Sequence, residues 1–127
     1  MKPITVAWIE YAERDFDDAE ALIKAKRYHG ALYFLEQSVE KLIKAYILEY
    51  VKSQVPFVHD IRYLLEMTGI SIREIRNIDL KGLSLVYTRI RYPDMNTKYF
   101  SDQKEVERLV TQFNLLYKWL LKQFKNK

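Results

Sequence analysis

Apolar residues recur every three or four positions along most of this chain, in stretches too long to be strands. The clearest stretch follows residue 30 and ends near residue 52, and its apolar face consists of Leu32, Leu35, Val39, Leu42, Ile43, Tyr46, Ile47 and Tyr50. This spacing is typical of a helix that packs one face against a core. Three glycines and three prolines are too few turn residues for a sandwich of many short strands. The sequence therefore predicts an all-α fold.

A second amphipathic stretch precedes this one and covers residues 4 to about 25. Only residues 26–30 separate the two predicted helices, so they are expected to pack as an antiparallel hairpin. Asp15 lies on the apolar stripe of the first helix between Ala12 and Ala19. It is therefore expected to lie at or near a helix interface, where a carboxylate needs a hydrogen-bond donor.

Three further helices are predicted after Pro56, which opposes continuation of the second one. Asp60 is expected to cap a short helix that stops at Gly69. Another helix is expected from Asp79 to about Tyr92. The last helix follows a polar loop at residues 94–100 and is expected to be capped by Ser101 or Asp102. Together the segments predict an antiparallel up-and-down four-helix bundle with one additional short helix.

The last helix carries a wide apolar arc that one neighbouring helix would not cover. The arc consists of Val106, Leu109, Val110, Phe113, Leu116, Tyr117, Leu120, Leu121 and Phe124. A two-fold pairing of identical chains would cover the excess. We therefore expect a homodimer, with packing against two neighbours inside one chain as the alternative.

Length and composition restrict the class of protein further. The 127 residues correspond to one domain, taken as 1–127. No apolar run reaches the roughly 18 residues that span a bilayer, and the start of the chain lacks the apolar stretch of a signal peptide. The chain has no cysteine, which removes disulfides, thiolate zinc sites and cysteine nucleophiles. These features favour a cytoplasmic protein without contact to membranes.

Several kinds of catalytic site find no support in the sequence. A di-iron bundle needs Glu-x-x-His pairs, and neither His29 nor His59 has a glutamate three positions earlier. The isolated glycines form no phosphate-binding loop. Glu36 and Glu40 are four residues apart, a spacing that usually marks a solvated helix face. We therefore expect no metal, no cofactor and no catalytic residue.

Charged residues beside the apolar stripes are the remaining candidates. On the second helix, Glu40 and Lys44 have the spacing of an ion pair, and a solvated surface pair is the simplest interpretation. Arg89 and Arg91 end the fourth helix, where cations compensate the helix dipole. Guanidinium groups also bind phosphate with two hydrogen bonds, so an anion site is the alternative.

Four segments together resemble the HEPN domain (higher eukaryotes and prokaryotes nucleotide-binding). The main one is YHGALYFLEQSVEKLIKAYI at residues 28–47. The others are Ala12-x-x-Asp15-x-x-x-Ala19, His59-Asp60-Ile61 and Arg91-Tyr92-Pro93-Asp94, in this order along the chain. The resemblance implies an antiparallel helical bundle that commonly dimerises, and a role connected with nucleotides or RNA.

The resemblance also implies two more specific roles. Many HEPN proteins are encoded beside a minimal nucleotidyltransferase in a module of toxin-antitoxin type. Others are metal-independent ribonucleases with an Arg, four to six residues, and then a His. Counted from Arg91, the required positions hold Asn96, Thr97 and Lys98, and no histidine follows His59. The ribonuclease motif is absent.

We therefore expect a non-catalytic HEPN-like protein that binds a nucleotide or RNA phosphate in a polar cleft between the second and fourth helices. The expected anion contacts are Lys41, Lys44 and Arg91, with Tyr92 and Tyr99 available for stacking. The expected supporting polar residues are Asp15, Glu40, His59 and Asp94. One alternative is an interaction protein that binds a minimal nucleotidyltransferase, and another is a residual ribonuclease that uses His59.

Overall fold

The computed structural model describes residues 1–95 and 102–125, and within these ranges it contains helices and no strand. The α-helices are α1 Pro3–Lys24, α2 Tyr28–Tyr50, α3 Ile61–Thr68, α4 Leu80–Arg91 and α5 Gln103–Lys125. Two 3-10 turns, Arg73–Ile75 and Pro93–Met95, lie before and after α4. The predicted helical bundle with an additional short helix is confirmed.

Helix α2 is the centre of the bundle, because it packs against α1, α3, α4 and α5. Its burial is nearly complete from residue 38 to residue 48, with only Lys41 left partly exposed in this stretch. The core side chains that it contributes include Leu32, Leu35, Val39, Leu42, Ile43 and Ile47. A helix surrounded in this way has little solvent-facing surface. Polar residues on α2 therefore need partners inside the protein.

The predicted helix ends rest on local hydrogen bonds. The Asp60 carboxylate accepts from the backbone N–H groups at residues 62 and 63 and caps α3. Gly69 ends α3 with a φ of 72°, a left-handed conformation that glycine adopts without steric cost. Asp79 caps α4 by accepting from the Gly82 N–H at 2.9 Å. The two caps fix the directions in which α3 and α4 leave the preceding turns.

The wide apolar arc of α5 is covered within one chain. Its buried members are Val106, Leu109, Val110, Phe113, Leu116, Tyr117 and Leu120. The ring of Tyr117 stacks on that of Phe16 from α1, with 4.1 Å between centroids. The excess of apolar surface from which we argued a homodimer is therefore absent from this helix. The homodimer itself stays a prediction.

Among the described residues, no helix combines the length and the apolar character that a membrane span requires. Helix α1 exposes two large apolar side chains, Ile4 and Tyr11. They flank an apolar pocket of about 350 Å³ that Trp8 also lines.

Gly82→Ala should destabilise the protein although alanine is the better helix former. A Cβ at residue 82 would collide with the Asp79 carboxylate oxygen Oδ2, so the cap on α4 must move. Loss of an N-cap costs about 1 kcal/mol. We expect a decrease of this size in the free energy of unfolding, measured by denaturant titration.

Asp79→Ala and the double variant provide the control for this mechanism. If Gly82→Ala acts by displacing the carboxylate, it should cost no stability in the Asp79→Ala background, so the double variant should be at least as stable as Asp79→Ala alone. Additive losses would show that Gly82 is needed for another reason.

Candidate functional site

Two glutamates of α2 lie in its core-facing side rather than on a solvated surface. Glu36 is fully buried and Glu40 is 8% exposed. The expectation that this pair marks a solvated helix face is wrong. The physical reason is the position of α2, which is enclosed by four other helices.

Glu40 has two hydrogen-bond partners in the described part of the chain. The ammonium group of Lys44, one turn further along α2, donates to Glu40 Oε2 at 3.0 Å. His59 Nδ1 lies 3.0 Å from Glu40 Oε1 and 3.1 Å from Oε2. Because a carboxylate only accepts, this nitrogen carries the hydrogen and donates it. The His59 ring is thereby held in one orientation, with its side chain 50% exposed.

Glu36 faces Arg91 at the end of α4. Arg91 Nη1 lies 3.6 Å from Glu36 Oε1, which is within ion-pair range and longer than a hydrogen bond. Arg91 Nη1 instead donates to the Tyr87 carbonyl at 2.9 Å. Neither oxygen of Glu36 accepts a hydrogen bond from a described residue. The buried carboxyl is therefore incompletely satisfied.

Aromatic rings hold the exposed groups in place. The guanidinium carbon of Arg91 lies 3.7 Å from the centre of the Tyr87 ring and 4.8 Å from that of Tyr33. The His59 ring stacks on Tyr87 with 4.2 Å between centroids and an interplanar angle of 12°. We call the group Glu36, Glu40, Lys44, His59, Tyr87 and Arg91 the polar cleft. It lies between α2, the start of α3 and the end of α4.

Burial raises the pKa of the Glu36 carboxyl to about 8, and the negative charge of Glu40 adds to the increase. The positive charge of Arg91 acts in the opposite direction but does not offset burial. At neutral pH, Glu36 is consequently protonated in most molecules. Desolvation of a carboxylate without hydrogen-bond donors is the expected cause of such a shift.

With Glu36 neutral, the polar cleft carries an excess of positive charge. Glu40 is balanced by Lys44 at 3.0 Å, and the charge of Arg91 is left without an ionised carboxylate. The Arg91 side chain is 17% exposed. An arginine in this state is suited to bind an anion from solvent. In the described part of the chain, no group of three or more histidine, aspartate or glutamate side chains is arranged to hold a metal ion.

The comparison with family models gives a match to the HEPN domain over residues 5–124. The chain belongs to the HEPN family. The match covers all five α-helices, and it gives the protein a general role connected with nucleotides or RNA. Searches of curated proteins and of solved structures gave no significant match.

The polar cleft of this HEPN protein brings together four of the predicted site residues. Arg91, Lys44, Glu40 and His59 belong to it. Lys44 has only 6% of its side chain exposed, because it lies beneath the cleft and bonds to Glu40. Its geometry is that of a counter-ion inside the protein rather than of a residue at the surface.

Lys41 and Asp15 form a separate ion pair between α2 and α1. The Lys41 ammonium donates to the Asp15 carboxylate and joins α2 to α1. The prediction that Asp15 lies at a helix interface agrees with this contact. Lys41 makes no ion pair with a described member of the polar cleft, so the structure does not group it with Arg91.

The remaining predicted residues follow α4. Tyr92 is exposed and ends the helix, with its backbone N–H bonded to the Thr88 carbonyl at 3.1 Å. Asp94 is exposed in the 3-10 turn that comes next. Tyr99 lies outside the described residues, as do Asn96, Thr97 and Lys98 from the search for a ribonuclease histidine.

Glu36, Tyr87 and Tyr33 are members or neighbours of the site that sequence reasoning missed. A signal for Glu36 was present, since its spacing from Leu32 and Ile43 places it within the apolar stripe of α2. Tyr87 shares the apolar stripe of α4 with Leu83 and Ile90, a position that is typical of a core residue. No sequence pattern indicated that its ring would contact both His59 and Arg91.

Glu36→Gln should change how stability depends on pH. The pKa of Glu36 is about 8 in the folded protein, compared with the ordinary value of 4.5. At a pH between these two values the folded protein holds a proton on Glu36, and unfolding releases it. The free energy of unfolding of the native protein should therefore fall as pH rises from about 5 to about 8, by at most about 1.4 kcal/mol per pH unit. Glutamine does not titrate, so the variant should lack this component.

Denaturant titrations at several pH values measure the difference. Asp79 and Glu49 have pKa values below their ordinary values, so their contributions lie at lower pH than this window. Glu10→Gln, on the exposed side of α1, is the matched control. Identical pH dependence in native protein and Glu36→Gln would contradict the assignment of a retained proton.

Proposed function

We propose that this HEPN protein binds a nucleotide or RNA phosphate at the polar cleft without catalysing a reaction. The observation that carries the proposal is the position of Arg91, 3.6 Å from a buried carboxyl that holds its proton at neutral pH. A phosphate would provide the full negative charge and the hydrogen-bond acceptors that Glu36 does not offer.

The surroundings of Arg91 favour a planar anion contact. Tyr87 and Tyr33 lie against the guanidinium group and limit its motion, so less conformational entropy is lost when it binds. In this proposal Arg91 is the direct phosphate contact, whereas Lys44 and Glu40 support it from within. Tyr92 is exposed one residue further along and is available to stack on a base.

The other predicted roles stay predictions. Lys41 with Asp15, Asp94 and Tyr99 are still proposed as secondary contributors to the same ligand. A homodimer and a minimal nucleotidyltransferase partner in a toxin-antitoxin module also stay predictions. HEPN domains often dimerise, which supports the first of them.

Arg91→Gln should weaken binding of a mononucleotide such as UMP at low salt. Hydrogen bonds to charged groups contribute about 1.5 to 3 kcal/mol, which corresponds to a ten- to hundredfold higher Kd. Isothermal titration calorimetry measures this change. Lys122→Gln removes one exposed cation from α5 and should leave the affinity unchanged.

Equal weakening by the two variants would indicate a general charge effect instead of a site at Arg91. Absence of UMP and RNA binding to the native protein would contradict the proposed function.

Residual RNA cleavage is a second candidate, and one contact favours it. The Glu40 carboxylate orients His59 through Nδ1, and no described residue bonds to the other ring nitrogen of the half-exposed imidazole. A carboxylate that orients a histidine is a common arrangement for proton transfer. His59 and Arg91 both pack on Tyr87. A phosphate group bound in the cleft would therefore lie near both side chains.

His59→Asn separates binding from catalysis. Under the principal proposal, neither the native protein nor the variant should cleave RNA in buffer with a metal chelator, and both should bind it. The measurement is gel analysis of a labelled RNA after long incubation. Cleavage by the native protein that disappears in His59→Asn would replace the binding proposal with a ribonuclease.

A further inference from the structure

A second concave surface lies at the opposite end of α4 from Arg91. It is an open groove of about 770 Å³ formed by the start of α3, the 3-10 turn Arg73–Ile75 and the start of α4. Four cationic side chains line it, namely Arg62, Arg73, Arg76 and Lys81. All four are exposed. We call this surface the basic groove.

The four cationic side chains of the basic groove do not stabilise the fold through ion pairs. None of the four forms an ion pair with a described residue. Other cations of the protein do so: Arg108, for example, pairs with Glu105 at 2.6 Å and with Asp79 at 3.0 Å. Four unpaired cations around one concavity repel each other, so a bound anion would relieve their repulsion.

Among the described residues that line the basic groove, Asp79 is the only acid, and both of its carboxylate oxygens already accept hydrogen bonds. One oxygen of Asp79 accepts from the Gly82 N–H at 2.9 Å and the other from Arg108 at 3.0 Å. These contacts, together with the positive charge of Lys81, lower the pKa of the Asp79 carboxyl, and the charge of Arg108 offsets that of the carboxylate. Asp79 therefore leaves the excess of positive charge in the groove largely intact.

One helix connects the basic groove to the polar cleft. Lys81 and Arg91 are ten residues apart on α4, a distance of about 15 Å at 1.5 Å per residue. Arg62 and His59 link the same two surfaces through the start of α3, which is fixed to α4 where Ser84 Oγ accepts from the Arg62 N–H at 3.2 Å. A stacked nucleic-acid strand advances about 3.4 Å per nucleotide, so about five nucleotides span this distance.

We propose that the basic groove binds the backbone of a phosphodiester strand. Another phosphate of the same strand, about five nucleotides away, occupies the polar cleft. The ligand is thus a single-stranded polynucleotide rather than a mononucleotide. This inference rests on the proposed function, because it extends the ligand of the same cleft. None of the described residues that line the groove is aromatic, so the contacts proposed there are electrostatic and independent of sequence.

The test compares UMP with oligouridine and oligothymidine of about ten nucleotides, a length that exceeds the distance between the two surfaces. Kd values are measured over a range of salt concentrations for native protein and Arg73→Gln/Arg76→Gln. Each lost phosphate contact on a single strand should reduce the slope of log Kd against log salt by about 0.7, and should raise Kd about fivefold at 0.1 M salt. The double variant should therefore bind both strands about 25-fold more weakly and bind UMP normally.

Lys118→Gln/Lys122→Gln is the charge-matched control, since it removes two exposed cations from α5. It should leave the slope for the strands unchanged. If strand binding needs Arg91 but is unaffected by Arg73→Gln/Arg76→Gln, the basic groove does not bind the strand. The proposed function of the polar cleft would then still hold. Absence of any binding, to UMP as well as to both strands, would overturn the two together.

Discussion

Two carboxyl groups on the central helix determine how the polar part of this protein is arranged. Glu36 and Glu40 are carried into the interior because α2 is covered by four other helices. A buried carboxylate is costly unless cations or hydrogen-bond donors reach it. The protein satisfies Glu40 with Lys44 and His59 and leaves Glu36 only a distant arginine. The end of α4 and the start of α3 must therefore lie beside α2, because they bring Arg91 and His59 to these two carboxyl groups.

In this arrangement the three cations near α2 have different roles. Lys44 and Lys41 stabilise the bundle from within, one against Glu40 and the other between α2 and α1. Arg91 remains at the surface of the cleft with its charge only partly compensated. The chain belongs to the HEPN family, and the phosphate contact proposed for it is this partly buried arginine, which packs on the ring of Tyr87.

The fold was predictable from the sequence to a much greater extent than the site. Helix positions follow from apolar periodicity, and the caps at Asp60, Gly69 and Asp79 follow from local backbone chemistry. Both signals depend on residues close together in the chain. The burial of Glu36 depends on how many helices surround α2, and the α5 arc that suggested a dimer is covered for the same reason. The spacing of one segment can place Glu36 on an apolar stripe, but it does not give the number of helices that cover this stripe.

The proton held by Glu36 links the chemistry of the cleft to its surroundings. An anion that binds Arg91 would weaken the one positive influence that opposes protonation of Glu36. Coupling of this kind is reciprocal, so proton uptake at Glu36 must favour the anion as much as the anion favours the proton. A carboxyl group that contacts no solvent would in this way let the acidity of the medium influence how firmly an anion is held at the surface.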